Sequence, residues 1–167
     1  MTVASSRSAT LTLPSDEQIL IEREFDAPKH LVYKAWTTPE LVKRWWHAKR
    51  GEVTVTEIDL QVGGKWRWVM VADGGFEVGF HGEYLELVPN KLIVSTEIFE
   101  GVPDGVSEAD ATTVNTATFR ESDGRTTVTL LIQAANKTSR DAIIESGMEN
   151  GLQDALDLLE QVARSLA

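Results

Sequence analysis

The chain has 167 residues, 42% of them hydrophobic, which suffices for one domain with a single core. It contains no cysteine, so disulfides, thiolate nucleophiles and cysteine-ligated metals are excluded. The formal net charge of −10 argues against a nucleic-acid or anionic-membrane partner, because both carry the same sign. No stretch is apolar for long enough to span a bilayer, and no secretory signal is visible, so we expect a cytoplasmic protein.

The first part of the chain predicts a tail, a strand and two short helices. Residues 1–17 are rich in Ser and Thr, and we expect a tail that can dock at a sheet edge. From Gln18 onward apolar residues alternate with acidic ones, the pattern of a half-buried strand. Asp26–Pro28 and Thr38–Glu40 each place a potential N-cap residue before or beside a proline, which predicts two helix starts. Residues 18–167 should form one domain.

About six antiparallel strands are predicted between residues 51 and 133, where the apolar residues take a period of two. Turn signals at residues 63–64, 73–74, 89–90 and 123–124 separate the strands. The parity of the apolar residues shifts between Phe80 and Leu85, and a bulge near Gly82 would reconcile them. Glu100 to Thr112 predicts an exposed, mobile loop.

One long amphipathic helix is predicted from Thr138 to Leu166. Its apolar stripe follows steps of three and four residues and comprises Ile144, Met148, Leu152, Ala155, Leu159, Val162 and Leu166. Thr138 or Ser139 should cap its start. Gly147 and Gly151 each cost about 1 kcal/mol of helix propensity relative to alanine. Three explanations stay open for them: close packing on a sheet, a bend in the helix, or space for a ligand.

Several local motifs resemble those of one protein family. In chain order they are Phe25-Asp26-Ala27-Pro28, Ala35-Trp36-Thr37, Pro39-Glu40-Leu41, Arg44-Trp45-Trp46, Asp59-Leu60 with Gly63-Gly64, Gly82-Glu83-Tyr84, and Gly147-Met148-Glu149 with Gly151. They resemble the family named for the activator of heat shock protein 90 ATPase, homologous to that activator's C-terminal domain. This family belongs to the START-like and birch-pollen-allergen-like superfamily. The resemblance implies an α+β helix-grip fold, in which a curved antiparallel sheet wraps a long C-terminal helix and two short helices lie between the first two strands.

The same resemblance implies a hydrophobic cavity between the sheet and the long helix. Its expected ligand is a small hydrophobic or amphipathic molecule, lipid-like or polyketide-like. We assign the ligand-binding wall to Trp66, Trp68, Phe76, Phe80, Met148 and Leu152, with His81 and Tyr84 as polar contacts. All five tryptophans lie between residues 36 and 68, and such side chains suit an amphipathic pocket. The Glu100 to Thr112 loop is the candidate gate.

Two other functions stay open. A chaperone-associated, stress-response interaction module would use the basic surface around Lys43, Arg44, Lys49 and Arg50. A cyclase or hydrolase acting in the cavity would need an acid and a base, for which Asp59, Glu83 and Glu86 are candidates by strand location alone.

No catalytic residue is assigned from the sequence, and no cofactor is expected. His30, His47 and His81 are too widely spaced for a predicted metal site, and no nucleophile elbow or phosphate-binding loop is present.

Overall fold

The computed structural model describes residues 8–101 and 104–167, which form an eight-stranded antiparallel sheet with helices against its concave face. The strands are β1 (Thr10–Thr12), β2 (Gln18–Phe25), β3 (Gly51–Ile58), β4 (Lys65–Ala72), β5 (Glu77–Val88), β6 (Leu92–Phe99), β7 (Thr112–Ser122) and β8 (Arg125–Gln133). The helices are α1 (Lys29–Thr37), α2 (Pro39–Val42), α3 (Glu108–Ala111), α4 (Lys137–Glu145) and α5 (Met148–Ser165). The strand order across the sheet is β1-β2-β8-β7-β6-β5-β4-β3. The predicted α+β helix-grip fold is confirmed.

The two short helices follow the second strand of the chain and not the first. The reason is β1, which lies within the predicted tail and pairs antiparallel with β2, placing Leu11 opposite Ile21. Residues 1–7 of that tail lie outside the described residues. The six strands predicted after the short helices are β3 to β8, each joined to the next as an antiparallel neighbour.

The bulge in β5 lies at Leu85, three residues beyond its predicted place. Pairing between β5 and β6 shifts between Tyr84 and Glu86. Gly82 stays in regular register opposite Trp66. Its own role is close approach: a Cβ there would overlap the carbonyl oxygen of Thr96 and lie 2.7 Å from the indole nitrogen of Trp66.

The single C-terminal helix that the periodicity predicts is two helices, α4 and α5. Gly147 separates them with φ of +81°, a left-handed conformation that cannot continue a right-handed helix and that favours glycine. The start of α4 is capped by Asn136, whose Oδ1 accepts the Ser139 backbone N–H at 2.8 Å, and not by Thr138 or Ser139. The chain therefore bends at one of the two glycines that the propensity argument singled out.

Helix α1 also begins differently from the prediction. Asp26 does not cap it; Pro28 occupies the N-cap position, and the backbone N–H of Lys29 donates to Glu121 Oε1 on β7 at 2.8 Å. The backbone N–H of Asp26 instead donates to Glu160 Oε2 on α5 at 2.7 Å. The entry to α1 is thus held by carboxylates of β7 and of the C-terminal helix.

The core lies between the concave face of the sheet and helices α1 and α5. Its fully buried members come from all three parts, including Ile19, Phe25, Val32 and Leu159. Burying each such side chain contributes about 2 kcal/mol. Ala155, Leu159 and Val162 of the predicted stripe are buried. Its two ends are half-buried, at Ile144, Met148, Leu152 and Leu166.

A buried cation joins the sheet to α5. The side chain of Arg23 on β2 is 2% exposed, and its Nη2 lies 2.9 Å from Asp157 and 3.3 Å from Glu160. Its guanidinium also lies 4.7 Å from the ring centroid of Phe25. Removing one partner of such a buried pair costs more than the pair contributes, because the other charge stays buried.

None of the described helices combines the length and the hydropathy needed to cross a bilayer.

Candidate functional site

A cavity of about 150 Å³ lies between the concave face of the sheet and α5. Its walls come from α1, the segment after α2, five strands and α5. The lining residues are Trp36, Trp45, Trp46, Trp66, Trp68, Tyr84, Ile93, Ser95, Glu97, Asn115, Ala117, Leu130, Leu152 and Leu156. All five tryptophans of the chain therefore meet at one site.

The alternation of the strands brings these side chains together. Successive residues of a strand point to opposite faces, so residues two apart share the concave face. Trp66 and Trp68 do so on β4, and Ile93, Ser95 and Glu97 do so on β6. Helix α5 covers them with Leu152 and Leu156, which are four residues apart on one face.

The tryptophans form a contiguous cluster of edge-to-face and tilted ring pairs. Trp68 is central, with its centroid 5.8 Å from Trp45, 5.7 Å from Trp46 and 5.3 Å from Trp66. Such ring pairs contribute about 0.5–1.5 kcal/mol beyond their buried area. The cluster gives the cavity a continuous aromatic wall.

The indole N–H groups are used unequally. Trp45 Nε1 donates to the carbonyl oxygen of Ala35 at 2.9 Å, and Trp66 Nε1 donates to that of Thr96 at 3.2 Å. Trp68 Nε1 is buried and has no acceptor within the described part of the chain. A ligand atom or a water in the cavity would satisfy this donor.

Four polar side chains form one patch of the wall, which we call the polar row: Tyr84, Ser95, Asn115 and Glu97. Ser95 is the direct cross-strand partner of both Tyr84 on β5 and Asn115 on β7. Glu97 follows Ser95 by two residues on the same strand and the same face. The polar row therefore runs across three neighbouring strands.

Burial shifts the pKa of the two titratable groups in the polar row. Desolvation raises the pKa of the Glu97 carboxyl, and a hydrogen bond from Asn115 opposes this shift. Burial likewise raises the pKa of the Tyr84 hydroxyl. The other side-chain atom of Asn115, Oδ1, is buried without a hydrogen-bond partner among residues 8–101 and 104–167. The cavity thus offers a buried acid and an unused acceptor within an otherwise apolar wall.

Four of the eight residues predicted for the ligand site line this cavity: Trp66, Trp68, Tyr84 and Leu152. Phe80 and Met148 pack against the core but do not line the cavity. Phe80 is on the concave face, with its ring centroid 5.9 Å from that of Trp46.

The structure places the other two predicted residues outside the cavity. Phe76 is 62% exposed, because β5 begins only at Glu77 and Phe76 belongs to the preceding turn. His81 has the opposite parity to Phe80, and the bulge that would have reversed it comes later, at Leu85. The Nδ1 atom of His81 lies 2.9 Å from Glu100 Oε2, which also accepts from Arg67. His81 is therefore part of an ion-pair cluster on the outer face.

Sequence reasoning missed the polar row apart from Tyr84. The available signal was parity, since Ser95 and Glu97 alternate in step with Ile93 and Phe99. It was masked because Val94 and Ile98 make the other face of β6 equally apolar in sequence. The acids considered instead lie outside the cavity wall: Asp59 accepts from Gln61, Glu83 pairs with Lys65, and Glu86 is exposed.

The predicted gate has no described residue in the cavity wall. Residues 102–103 of this loop lie outside the described residues. The remainder borders a separate depression, together with His81 and Phe99, and contains α3, which Ser107 caps. Its mobility and gating stay predictions.

The basic surface is exposed at all four of its predicted residues, Lys43, Arg44, Lys49 and Arg50. Arg50 is partly neutralised, because its Nη1 lies 2.7 Å from Asp154 on α5. The four basic residues flank Trp45 and Trp46 in sequence. None of the four lines the cavity.

The fold and the cavity together define a helix-grip protein of the START-like superfamily, whose members are known for cavities between sheet and helix. The family model described as activator of Hsp90 ATPase homolog 1-like protein matches residues 26–164, so the chain belongs to this family. A comparison with curated proteins found no match.

Solved structures show the same fold at low sequence identity. A protein from Rhodobacter sphaeroides is 22% identical, with a TM-score of 0.84 over 95% of this chain and 99% of that chain. A protein from Arthrobacter aurescens is 21% identical, with a TM-score of 0.81 over 93% and 91% of the two chains. The protein CV1439 from Chromobacterium violaceum is 26% identical, with a TM-score of 0.72 over 87% and 96%.

Proposed function

We propose that this protein binds a small hydrophobic or amphipathic molecule in the cavity between the sheet and α5. The observation that carries the proposal is the convergence of five indoles and the polar row on one space. Ligand sites in proteins typically combine an apolar, aromatic wall with a few polar groups that fix orientation. Membership of a superfamily known for such cavities supports the same function.

The size of the cavity limits the ligand. At about 150 Å³ it is comparable to engineered cavities that admit benzene, and it is smaller than the 300–1,000 Å³ of drug-sized sites. A single ring or a short chain fits without rearrangement. A larger lipid-like or polyketide-like ligand requires α5 or the side chains around Leu152 to move.

Leu152→Trp tests the proposal. The larger side chain enters the cavity from α5, where Leu152 is half-buried and lines the wall, and it should occupy the space of a bound ligand. We expect the variant to lose binding of ring-sized probes such as benzyl alcohol and indole, measured by calorimetry, by at least about tenfold.

The matched control is Gln161→Trp, which adds the same side chain at an exposed position of α5. This control should bind the probes as the parent chain does. Equal affinities in the parent chain and in Leu152→Trp would show that the probes bind elsewhere. Absence of binding to the parent chain would overturn the proposed function.

A second candidate is interaction with an acidic protein partner, such as a chaperone. Lys43, Arg44 and Lys49 favour it, because they are exposed together on a chain whose formal net charge is −10. A protein interface of this kind depends on surface charge and is indifferent to the cavity.

A cyclase or hydrolase acting in the cavity remains the third hypothesis. Glu97 is now its best candidate acid or base, since buried carboxyls with a raised pKa are common in active sites. Turnover with a pH profile that Glu97→Gln removes would distinguish this function from binding alone.

A further inference from the structure

Among the residues that the structure describes, Glu97 has no cationic partner in the cavity. Besides Glu97, the one titratable side chain in the described wall is Tyr84, and the wall contains no Lys, Arg or His. The elements around Glu97 contribute aromatic residues from β4, Tyr84 from β5, Thr113 and Asn115 from β7, and leucines from α5. No neighbouring charge contributes to the shift of its pKa. A buried carboxyl in such surroundings lacks the partner that would favour its ionised form.

Two acceptors of the polar row favour a ligand that donates hydrogen bonds. The buried Trp68 Nε1 donor, which has no acceptor in the described chain, needs a water or an acceptor atom of the ligand. Asn115 Oδ1 is a buried acceptor with no donor in the described chain. The carboxylate of an ionised Glu97 is an acceptor as well. Both belong to the polar row, on neighbouring strands, and a single N–H-bearing group can approach both.

The aromatic wall favours a positive charge on that group. The faces of indole rings carry negative electrostatic potential and attract ammonium groups, most strongly where water is excluded. Five indoles surround a space of about 150 Å³, so a cation placed anywhere in it is close to several rings. A small apolar body would fill the rest of the space.

We propose that the cavity binds a small organic ammonium ion, with its nitrogen at Glu97 and Asn115 and its apolar part among the tryptophans. This inference rests on the proposed function and names its ligand class. Binding also changes the protonation of Glu97. At a pH where the carboxyl of the empty site is protonated, it loses this proton to solvent, and one proton is released per ammonium ion bound.

The test compares isosteric probes that differ in charge. Benzylamine is a cation at neutral pH, benzyl alcohol is its neutral counterpart, and benzoate supplies the anion. Calorimetry at pH 7.5 should show benzylamine binding at least about tenfold more tightly than benzyl alcohol, the ratio that corresponds to about 1.4 kcal/mol. Benzoate should bind more weakly than either.

Glu97→Gln keeps the shape of the side chain and removes its charge. It should bring benzylamine and benzyl alcohol to similar affinities while leaving benzyl alcohol binding in place. Glu86→Gln, the same change at an exposed position of β5, should leave the tenfold preference unchanged. A preference that persists in Glu97→Gln would overturn the role of this carboxyl.

A pH series on the parent chain tests the ammonium ligand without any variant. Affinity for benzylamine should fall as the pH is lowered through the raised pKa of Glu97, with proton release detected in buffers of different ionisation enthalpy. Benzyl alcohol affinity should not change. If benzyl alcohol binds as tightly as benzylamine at every pH, the ammonium ligand is wrong and the cavity-binding function stands. If neither probe binds, both fail together.

Discussion

Glu97 is the one carboxyl in the described cavity wall, and burying it disfavours its charged form. A carboxyl with no cation beside it is destabilised in its charged form, so the folded chain binds the proton of Glu97 more tightly than the unfolded chain does. The neighbouring leucines and indoles show that an apolar residue could occupy the position. Retaining an acid there is expected where the acid has a ligand.

This burial predicts a dependence of stability on pH. Since the pKa of Glu97 is raised on folding, its contribution to stability is complete below the ordinary glutamate pKa and is lost as the pH rises through the folded-state value. Glu97→Gln should therefore leave the thermal midpoint near pH 4 almost unchanged and raise it at pH 8. Thermal unfolding of both chains across this range measures the difference.

Glu86→Gln serves as the control for that series, because Glu86 is exposed and should not alter the slope. Glu100 contributes with the opposite sign, since its hydrogen bond from Arg67 lowers its pKa, and the comparison between variants cancels it. A parallel pH dependence in the parent chain and in Glu97→Gln would contradict the burial of a protonated acid at this position.

At the scale of the element, the two glycines of the C-terminal segment have different roles. Gly147 adopts the left-handed conformation that ends α4 and starts α5, whereas Gly151 lies within α5. A Cβ at either position would meet no described atom within 4 Å. Close packing on the sheet, one of the three explanations for these glycines, is therefore wrong for both.

The pair predicts opposite effects of the same substitution. Gly147→Ala should destabilise the chain by about 1 kcal/mol, the cost of a left-handed alanine. Gly151→Ala should stabilise it by up to about 1 kcal/mol through helix propensity. Each kcal/mol shifts the thermal midpoint by about 2–4 °C in a chain of this size.

Binding measurements on the same variants separate the last two explanations for Gly151. If its missing side chain provides space for the ligand, Gly151→Ala should weaken benzyl alcohol binding despite being more stable. If affinity is unchanged, the glycine has no role in the cavity. A destabilised Gly151→Ala would mean that the helix packs more tightly there than the structure shows.

A helix or strand could be predicted from the sequence where adjacent residues determine it. The six strands after α2 were predictable because alternation and turn residues are properties of adjacent positions. The bulge was predicted from a parity shift that fixes its existence but not its residue. Its place at Leu85 appears only in the pairing of β5 with its neighbours, in which Gly82 stays opposite Trp66 and the shift comes after Tyr84.

At the scale of the whole molecule, charge is distributed unevenly. The segment from residue 29 to residue 67 carries eight Lys or Arg against four Asp or Glu, on a chain with 16 basic and 26 acidic residues. The exposed part of this excess positive charge lies around Lys43 and Arg44, and this surface is available to an acidic partner. Such an interface acts through long-range attraction that salt screens.

Reversing charge on that surface distinguishes the two main hypotheses. Lys43→Glu combined with Arg44→Glu should leave benzyl alcohol binding unchanged. If the protein also docks on a chaperone, the double variant should weaken its binding to purified heat shock protein 90 by about tenfold or more and reduce the salt dependence. Lys91→Glu, an exposed change in the turn between β5 and β6, is the control. Unchanged chaperone binding in the double variant would exclude this surface as the interface.

The sequence by itself determined the helix-grip fold, the two short helices, the six strands β3 to β8 and four of the residues that line the cavity. It could do so because strand alternation, turn chemistry and the family motifs are encoded by neighbouring positions, and Trp66, Trp68, Tyr84 and Leu152 each belong to such a pattern. Only the tertiary structure decided that all five tryptophans share one cavity, that Gly147 divides the last helix, and that Tyr84, Ser95, Glu97 and Asn115 form a row. The row depends on the register between β5, β6 and β7, which brings together residues up to 31 positions apart. In addition, both faces of β6 carry apolar residues, and no local pattern specifies which of them turns inward.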